Sequence, residues 1–339
     1  MDKLRDRDPV NRMKIKETCS HVRSGTAEQN GGKEMQKAKV VEIGPRDGFQ
    51  NVKDQIPTEV KLNIIDGIVE AGFKKIQIGS FVSPKAIPQM KDMKEVASKV
   101  LGKYADRGIE FFALVPNLYG AKAAAEVGLK EITPVMSLSE SHNMNNVKRT
   151  KAESIEQIAM IRQELPDIKI TQDIATVFGC PFEGEIQSLD PLLDLIGKLH
   201  DIGVHAFTLC DTVGLSYPKL VIDTLDVVKK AFPEDEFNIH IHDTRNMGIL
   251  NSWLALEHGA DSVQTTLGGL GGCPFAPGAS GNTATEDLIY ALNKNGIETG
   301  IDFDKLLKIA KYEYEMIPSG NFSGHQIKVP EHPCIIRQE

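Results

Sequence analysis

Two histidines separated by a single residue, His240 and His242, give the sequence its clearest chemical signal. Side chains alternate along a β-strand, so in an extended segment both imidazoles lie on one face while Ile239 and Ile241 pack on the other. Two imidazoles on one face often begin a divalent-metal site, but catalysis there also needs a carboxylate ligand and open coordination positions. The alternative interpretation is a pair of hydrogen-bonded histidines in the core.

The segment Gly-Pro-Arg-Asp-Gly at 44–48 offers the missing oxygen ligand in Asp47. Its neighbour Arg46 is always charged and has several directed N–H donors, which suit an oxygen on which negative charge develops. The alternative is an aspartate that caps a helix beside an arginine exposed to solvent.

Glycines are dense between residues 268 and 282, and this segment also contains Cys273 and Asn282. A glycine-rich chain can approach a ligand closely and can close over a site as a lid. Cys273 could then present its thiol as a proton donor, and Asn282 could add a neutral oxygen ligand. The alternative is a flexible connection with an inert thiol.

The elements that must position these residues follow a regular alternation from residue 38 onward. Short apolar runs rich in β-branched residues alternate with segments of helical periodicity. The strand candidates are 39–44, 75–81, 110–116, 131–138, 169–176, 206–211, 237–242 and 262–268, and the best helix candidates are 57–71, 152–165, 189–202, 217–231 and 283–294. Eight such units predict the α/β class and a (β/α)8 TIM barrel rather than an open doubly wound sheet. No Gly-x-Gly-x-x-Gly follows the first strand, which disfavours dinucleotide binding.

Active sites of such barrels lie where the strands end and the βα loops begin. Polar residues concentrate at these predicted points, namely Arg46, Asp47, Ser80, Asn117, Ser139, Glu140, Ser141, Asp211, His240, His242 and the loop 268–282. Because several independent strand ends agree, the sequence predicts one active site at that end of the barrel.

Composition limits the remaining function classes. The formal net charge of −8 disfavours a nucleic-acid partner, and the apolar runs are too short to span a membrane. Five scattered cysteines without CxxC spacing fit a reducing compartment, and the N-terminus has no secretory signal, so we expect a cytoplasmic protein. We divide the chain into a polar N-terminal extension (1–37), a barrel domain (38–310) and a C-terminal helix and tail (311–339), and we expect a homo-oligomer, either a dimer or a tetramer.

At these motifs the sequence resembles the hydroxymethylglutaryl-CoA lyases, a family of the DRE-TIM metallolyases. The resemblance runs from about residue 40 to residue 305 and is carried by the segments 44–51, 80–85, 88–90, 116–118, 139–141, 179–184, 211–214, 240–244 and the glycine-rich loop. The related isopropylmalate and homocitrate synthases share the Arg-Asp-Gly and His-x-His parts but not the loop that contains the cysteine.

The resemblance implies a role for each matching residue. The implied ligands of Mg²⁺ or Mn²⁺ are Asp47, His240, His242 and Asn282. Arg46 would bind the thioester oxygen, and Cys273 would be the acid on a mobile loop. The implied substrate and CoA contacts are Arg46, Gln50, Lys53, Ser80, Ser139 and Ser141, while Asp211 would lie in the floor of the site.

The implied reaction is cleavage of a 3-hydroxy-3-methylglutaryl-CoA-like thioester to acetyl-CoA and acetoacetate. The base that takes the hydroxyl proton would be His240 or a neighbouring carboxylate. Three alternatives remain open at this point: a lyase for a different 3-hydroxyacyl-CoA, a Claisen-condensing acyltransferase, and a non-catalytic paralogue that binds CoA esters.

Two positions depart from the family pattern. Gln77 replaces a glutamate, and Arg245-Asn246-Met247 replaces Tyr-Gly-Gln after His-x-His-Asp-Thr. A lost anion and a new cation predict a preference for a different or more anionic acyl group, with Arg245 as its partner.

Overall fold

The computed structural model describes residues 37–272 and 281–329. Within those residues, eight parallel strands form a closed barrel in chain order, with the last strand paired to the first. The strands are β1 (Val40–Glu42), β2 (Lys75–Ser80), β3 (Glu110–Val115), β4 (Glu131–Ser137), β5 (Lys169–Ala175), β6 (Ala206–Asp211), β7 (Glu236–Ile241) and β8 (Ser262–Thr265). The predicted (β/α)8 TIM barrel is confirmed.

The helices of the described residues surround this barrel. They are α1 (Thr58–Ala71), α2 (Met93–Tyr104), α3 (Leu118–Glu126), α4 (Glu140–Val147), α5 (Lys151–Glu164), α6 (Asp190–Asp201), α7 (Pro218–Ala231), α8 (Gly248–Glu257), α9 (Thr285–Lys294) and α10 (Phe303–Met316). Local sequence signals define their ends. Thr150 and Glu153 form a reciprocal capping box at the start of α5, and Gly72 ends α1 in the left-handed conformation with φ 111°.

Strand β7 shows how the barrel separates an apolar layer from a polar interior. Ile239 and Ile241 are buried in the apolar core around the barrel, as the alternation of side chains predicts. On the opposite face of the strand, Asn238 accepts a hydrogen bond from Ser262 of β8. Elsewhere below the site, Gln264 donates to Thr208 (3.2 Å). Hydrogen-bonded polar side chains therefore form the floor beneath the ends of the strands.

The closure of the barrel lies between two short strands, β1 and β8. The buried carboxylate of Glu42 connects them with the segments that follow. Its Oε1 accepts hydrogen bonds from the backbone N–H groups of Gly44 (2.7 Å) and Leu267 (3.0 Å), and its Oε2 accepts one from Thr285 Oγ1 (2.6 Å). Burial raises the pKa of Glu42 to about 7. The Glu42 side chain therefore connects β1 with the segments that follow β8, where the ladder between these two short strands is itself short.

The last helix, α10, packs against α1 at Gly67, where a side chain would collide with Ile309. The predicted end of the barrel domain at residue 310 falls inside α10, so the helical layer continues to Met316. Residues 1–36 and 330–339, which cover most of the predicted extension and the end of the predicted tail, lie outside the described residues. In the part of the chain that is described, no helix is both long and apolar enough to cross a membrane.

Candidate active site

Three potential metal ligands meet at the carboxyl ends of β1 and β7. Asp47 lies in a π-helical turn, Gly44–Gly48, that follows β1, while His240 is the penultimate residue of β7 and His242 directly follows that strand. The Oδ2 atom of Asp47 lies 4.0 Å from the Nε2 atom of each histidine. Ligands around one divalent ion at about 2.1 Å lie roughly 3 to 4 Å from one another. This group could therefore hold a divalent metal ion.

Asn282 completes the group from the far side of the glycine-rich segment. A β-bridge pairs it with His242, and its Nδ2 donates hydrogen bonds to Asp47 Oδ2 (2.8 Å) and to the Leu270 carbonyl (3.1 Å). Its Oδ1 is buried and has no hydrogen-bond partner among the described residues. An unsatisfied buried oxygen is destabilising, and a cation would satisfy it. The residues present thus fit the divalent metal that the resemblance implies.

The electrostatics of the group favour metal binding. Burial opposes ionisation of Asp47, but Arg46 and the two imidazoles outweigh it and lower the pKa of Asp47 to about 2. Burial, with a smaller contribution from His242, lowers the pKa of His240 to about 3. An ionised carboxylate and a neutral imidazole are the protonation states in which these groups bind metals.

Arg46 is buried beside the metal group and is oriented by three side chains. It forms an ion pair with Asp47, and its Nε donates to Gln77 Oε1 (2.6 Å). Its Nη2 lies 4.0 Å from Asp173 Oδ2. Gln77 therefore keeps the hydrogen bond that a carboxylate would make to this guanidinium, but not the charge.

Asp173 is a site residue that the sequence analysis did not identify. It lies on β5 and lines the cavity, and its Oδ1 has no hydrogen-bond partner within the described chain. Burial raises the pKa of Asp173 to about 7, although Arg46 opposes that rise. The aspartate inside the predicted strand 169–176 was an available signal, but other strand acids such as Glu42 do not line the cavity, so its position in a strand was not enough to identify it.

These groups line a cavity of about 350 Å³ at the carboxyl end of the barrel. Its lining includes Arg46, Asp47, Gln50, His142, Asn146, Asp173, His240, His242 and Gly272. A larger cavity of about 550 Å³ opens at the amino end. There the lysines already pair with acids, as in Lys75–Glu131 (2.7 Å) and Lys169–Glu236 (2.8 Å). We therefore assign the chemistry to the smaller cavity.

Several predicted contacts do not line this cavity. Both carboxylate oxygens of Asp211 accept backbone hydrogen bonds, from Leu215 N (2.8 Å) and Ser216 N (3.0 Å). The structure thus places Asp211 under the loop after β6 rather than with the metal group. Ser80 is fully buried, and Lys53 is exposed outside the lining.

Ser139 and Ser141 contact Glu183 rather than the cavity. Their hydroxyls donate to Glu183 Oε1 at 2.7 and 2.5 Å, and Ser139 also caps α4 by accepting from His142 N (3.1 Å). Because His142 lines the cavity, these serines position the start of α4. Glu183 lies in the matching segment 179–184, but the sequence alone did not identify it as their partner.

The structure describes Arg245 but not Cys273. The Nη1 of Arg245 donates to the carbonyls of Gly214 (2.6 Å) and Val213 (3.3 Å), and this side chain does not line the cavity. This contact gives no support to the expected role of Arg245 as a partner of an anionic acyl group. Cys273 lies outside the described residues, and its neighbour Gly272 lines the cavity.

Comparisons with known proteins identify relatives of this chain. The family model described as HMGL-like matches residues 37–312. The mitochondrial hydroxymethylglutaryl-CoA lyase of Homo sapiens is 38% identical over 278 residues, which cover 81% of this chain and 84% of the relative. The hydroxymethylglutaryl-CoA lyase YngG of Bacillus subtilis is 37% identical over 291 residues, covering 84% of this chain and 96% of the relative.

A solved structure of a hydroxymethylglutaryl-CoA lyase is also similar to this chain. The HMG-CoA lyase of Acinetobacter baumannii, in complex with coenzyme A and 3-methylmalate, has 37% sequence identity and a TM-score of 0.82, and the match covers 89% of this chain and 99% of that one. Carboxyl transferase domains of Rhizobium etli pyruvate carboxylase share the fold, at 16% identity and a TM-score of 0.64. The family model and the lyase relatives both match over most of the chain, and this protein therefore belongs to the HMGL-like family, as a carbon–carbon lyase of the hydroxymethylglutaryl-CoA lyase type.

Proposed function

We propose that this protein cleaves 3-hydroxy-3-methylglutaryl-CoA, or a close analogue, to acetyl-CoA and acetoacetate with the help of Mg²⁺ or Mn²⁺. The observation that carries the proposal is the convergence of Asp47, His240, His242 and Asn282 on one point beside Arg46. The coenzyme A bound by the Acinetobacter relative supports a CoA thioester as the substrate.

The proposed ligands are Asp47, His240, His242 and Asn282, which offer two oxygen and two nitrogen donors. Carboxylate and amide oxygens suit Mg²⁺ and Mn²⁺. When bound, the ion supplies Lewis acidity that polarises the substrate hydroxyl and orients its carboxylate.

Arg46 stabilises the charge that cleavage creates. When the bond between C2 and C3 breaks, its electron pair passes to C2, so that C3 becomes a ketone and the thioester becomes an enolate. The Arg46 guanidinium is already oriented by Asp47 and Gln77, and it donates N–H groups to the enolate oxygen. Donors that are oriented before the reaction stabilise such an oxyanion most effectively.

Asp173 takes the hydroxyl proton in this proposal, in place of His240. The Nε2 of His240 faces Asp47 within the metal group, whereas Asp173 Oδ1 lies unpaired among the described residues that line the cavity. A pKa near 7 suits a base that works at neutral pH. Cys273 then protonates C2, so the net change is one proton moved from the hydroxyl to that carbon.

The test is to incubate the protein with Mg²⁺ and a panel of 3-hydroxyacyl-CoAs and to identify the products by mass spectrometry. We expect acetyl-CoA and a 3-oxo acid, with Asp47→Asn as the inactive control. Release of free CoA from acetyl-CoA and a 2-oxo acid, without cleavage of any member of the panel, would instead support a condensing acyltransferase.

We further infer a cytoplasmic homo-oligomer of two or four copies that takes an acyl-CoA and binds neither nucleic acid nor membrane. The acidic net charge of −8 supports the absence of a nucleic-acid partner. Sedimentation equilibrium measures the number of copies, and a monomer at micromolar concentration would contradict this inference.

A further inference from the structure

A second cluster of potential metal ligands lies at the amino end of the barrel, opposite to the catalytic cavity. His200 is in the last turn of α6, His205 directly precedes β6, and Asp235 directly precedes β7. The Nδ1 atoms of the two histidines lie 2.9 and 3.0 Å from the two carboxylate oxygens of Asp235. The imidazole rings meet edge to face, with their centroids 4.5 Å apart.

The carboxylate of Asp235 is buried without a permanent cation. Only 1% of its side chain is exposed, and among the described residues its ion-pair partners are His200 and His205 alone. Neighbouring lysines are engaged elsewhere, since Lys229 pairs with Asp261 (3.0 Å) and Lys169 with Glu236 (2.8 Å). The imidazoles contribute hydrogen bonds to this carboxylate, and a buried carboxylate is unfavourable without a counter-charge.

The spacing and exposure of the cluster suit a metal ion. One ligand atom from each side chain can be chosen so that all lie within 4.8 Å of one another, and a bound ion would draw them to the roughly 3 to 3.6 Å that separates ligands at about 2.0 to 2.2 Å from zinc. The histidine side chains are 41% and 56% exposed, so an ion can enter and water can complete its coordination. The ring of His200 packs on Phe232 at 5.7 Å, which limits its rotation.

We propose that His200, His205 and Asp235 form a second metal site that binds a zinc-class divalent ion, such as Zn²⁺, Co²⁺ or Ni²⁺. Two imidazoles and one carboxylate, without the additional amide oxygen that Asn282 offers in the catalytic group, favour these ions over Mg²⁺. The bound ion connects the segments that lead into β6 and β7, so it stabilises the folded protein and takes no part in the cleavage reaction.

The experiment uses the full chain with the catalytic metal group disabled by Asp47→Ala and His242→Ala. After EDTA treatment and dialysis, titration calorimetry with Zn²⁺ is expected to show one equivalent bound, and Zn²⁺ is expected to raise the melting temperature. Adding His205→Gln to this background should weaken zinc binding at least tenfold and remove the thermal shift. Adding His258→Gln instead should change neither, because that exposed histidine pairs with Asp226 (3.5 Å) outside the cluster.

Two further measurements distinguish a loss of zinc binding from a loss of folding or of catalysis. Asp235→Asn retains the hydrogen-bond acceptor but removes the charge, so it should also abolish binding while circular dichroism shows an intact fold. In the otherwise wild-type protein, His205→Gln should leave Mg²⁺-dependent turnover unchanged. The proposal is overturned if the background variant binds no zinc, or if His205→Gln and Asp235→Asn bind zinc as tightly as the background does.

Discussion

At the scale of single residues, the surroundings of Arg46 determine how much charge the cavity carries. Gln77 contributes a neutral acceptor to the guanidinium, while Asp47 and Asp173 contribute carboxylates from other strands. The negative charge that is absent at position 77 is therefore present nearby, on β5. For this reason the substitution at position 77 need not move the preferred substrate toward more anionic acyl groups.

Asp173→Asn tests the assignment of the base. A general base typically contributes about 10² to 10⁴-fold to the rate, so we expect kcat to fall by that factor while Mn²⁺ affinity stays unchanged. In the wild type, kcat/KM should decline as the pH falls through the pKa of Asp173, because the protonated carboxyl cannot accept the hydroxyl proton. The variant should lose that dependence. Asp223→Asn is the control, because this carboxylate on α7 pairs with Lys219 (2.5 Å) and does not line the cavity, and it should keep the acid limb of the profile.

Gln77→Glu tests the distribution of charge. A glutamate there can still accept the Arg46 hydrogen bond, but its charge disfavours ionisation of the nearby Asp173 and raises the pKa of that group. The acid limb of the pH profile should therefore move to higher pH, which a series of kcat/KM measurements would reveal. If the limb stays in place while the selectivity over the acyl-CoA panel changes, residue 77 contacts the substrate and Asp173 is not the titrating base.

At the scale of elements, the glycine-rich segment is held firmly at the points where it enters and leaves the site. The N–H of Gly271 donates to the Asn321 carbonyl (3.3 Å), and the Gly281 carbonyl accepts from Asp243 N (2.9 Å). The C-terminal residues around 321–324 also contact the start of this segment, where the N–H of Gly324 donates to the Gly268 carbonyl (2.8 Å). The C-terminal segment thus fixes the position from which Asn282 reaches the metal group.

Gly271→Ala should weaken metal binding without unfolding the barrel. A Cβ at this position would lie 2.5 Å from Asn282 Nδ2, and the backbone has φ 152°. Displacing an outer contact of a metal site typically lowers affinity roughly 10- to 100-fold, and Mn²⁺ titration would measure it. Gly272→Ala is the control, because a Cβ there meets no atom of the described residues within 4 Å. Equal affinities in the two variants would mean that Asn282 is not a ligand.

At the scale of the whole molecule, the barrel and the metal group could be predicted because they depend on local periodicity. Alternation places His240 and His242 on one face, and regular spacing of strand and helix candidates predicts the closed barrel. Asp173 could not be assigned in the same way, because its role depends on Arg46, which reaches it across the barrel. Likewise, a polar residue at a strand end can bind backbone instead of substrate, as Asp211 does.

Removing the metal should loosen one part of the barrel more than the rest. Asp47 follows β1, the histidines lie at the end of β7, and Asn282 follows β8, so an ion bridges the closure between first and last strands. An ion that binds only the folded state stabilises it by mass action. EDTA should therefore lower the melting temperature, and amide hydrogen exchange should accelerate in β1 and β8 before β4 and β5. Asp47→Ala should abolish the EDTA-induced acceleration in β1 and β8, whereas uniform acceleration in all strands would contradict this account.

A closure made by short strands and completed by an ion also affects how long each molecule survives in a cell. Strand β1 is made before the other seven strands and β8 after them, so the barrel can close only after β8 has emerged. Molecules whose closure opens are those that proteases cut, and their abundance follows the opening equilibrium. We therefore expect a shortage of manganese or magnesium to deplete the protein by degradation rather than to store it as an inactive pool, and restored activity would then require new synthesis.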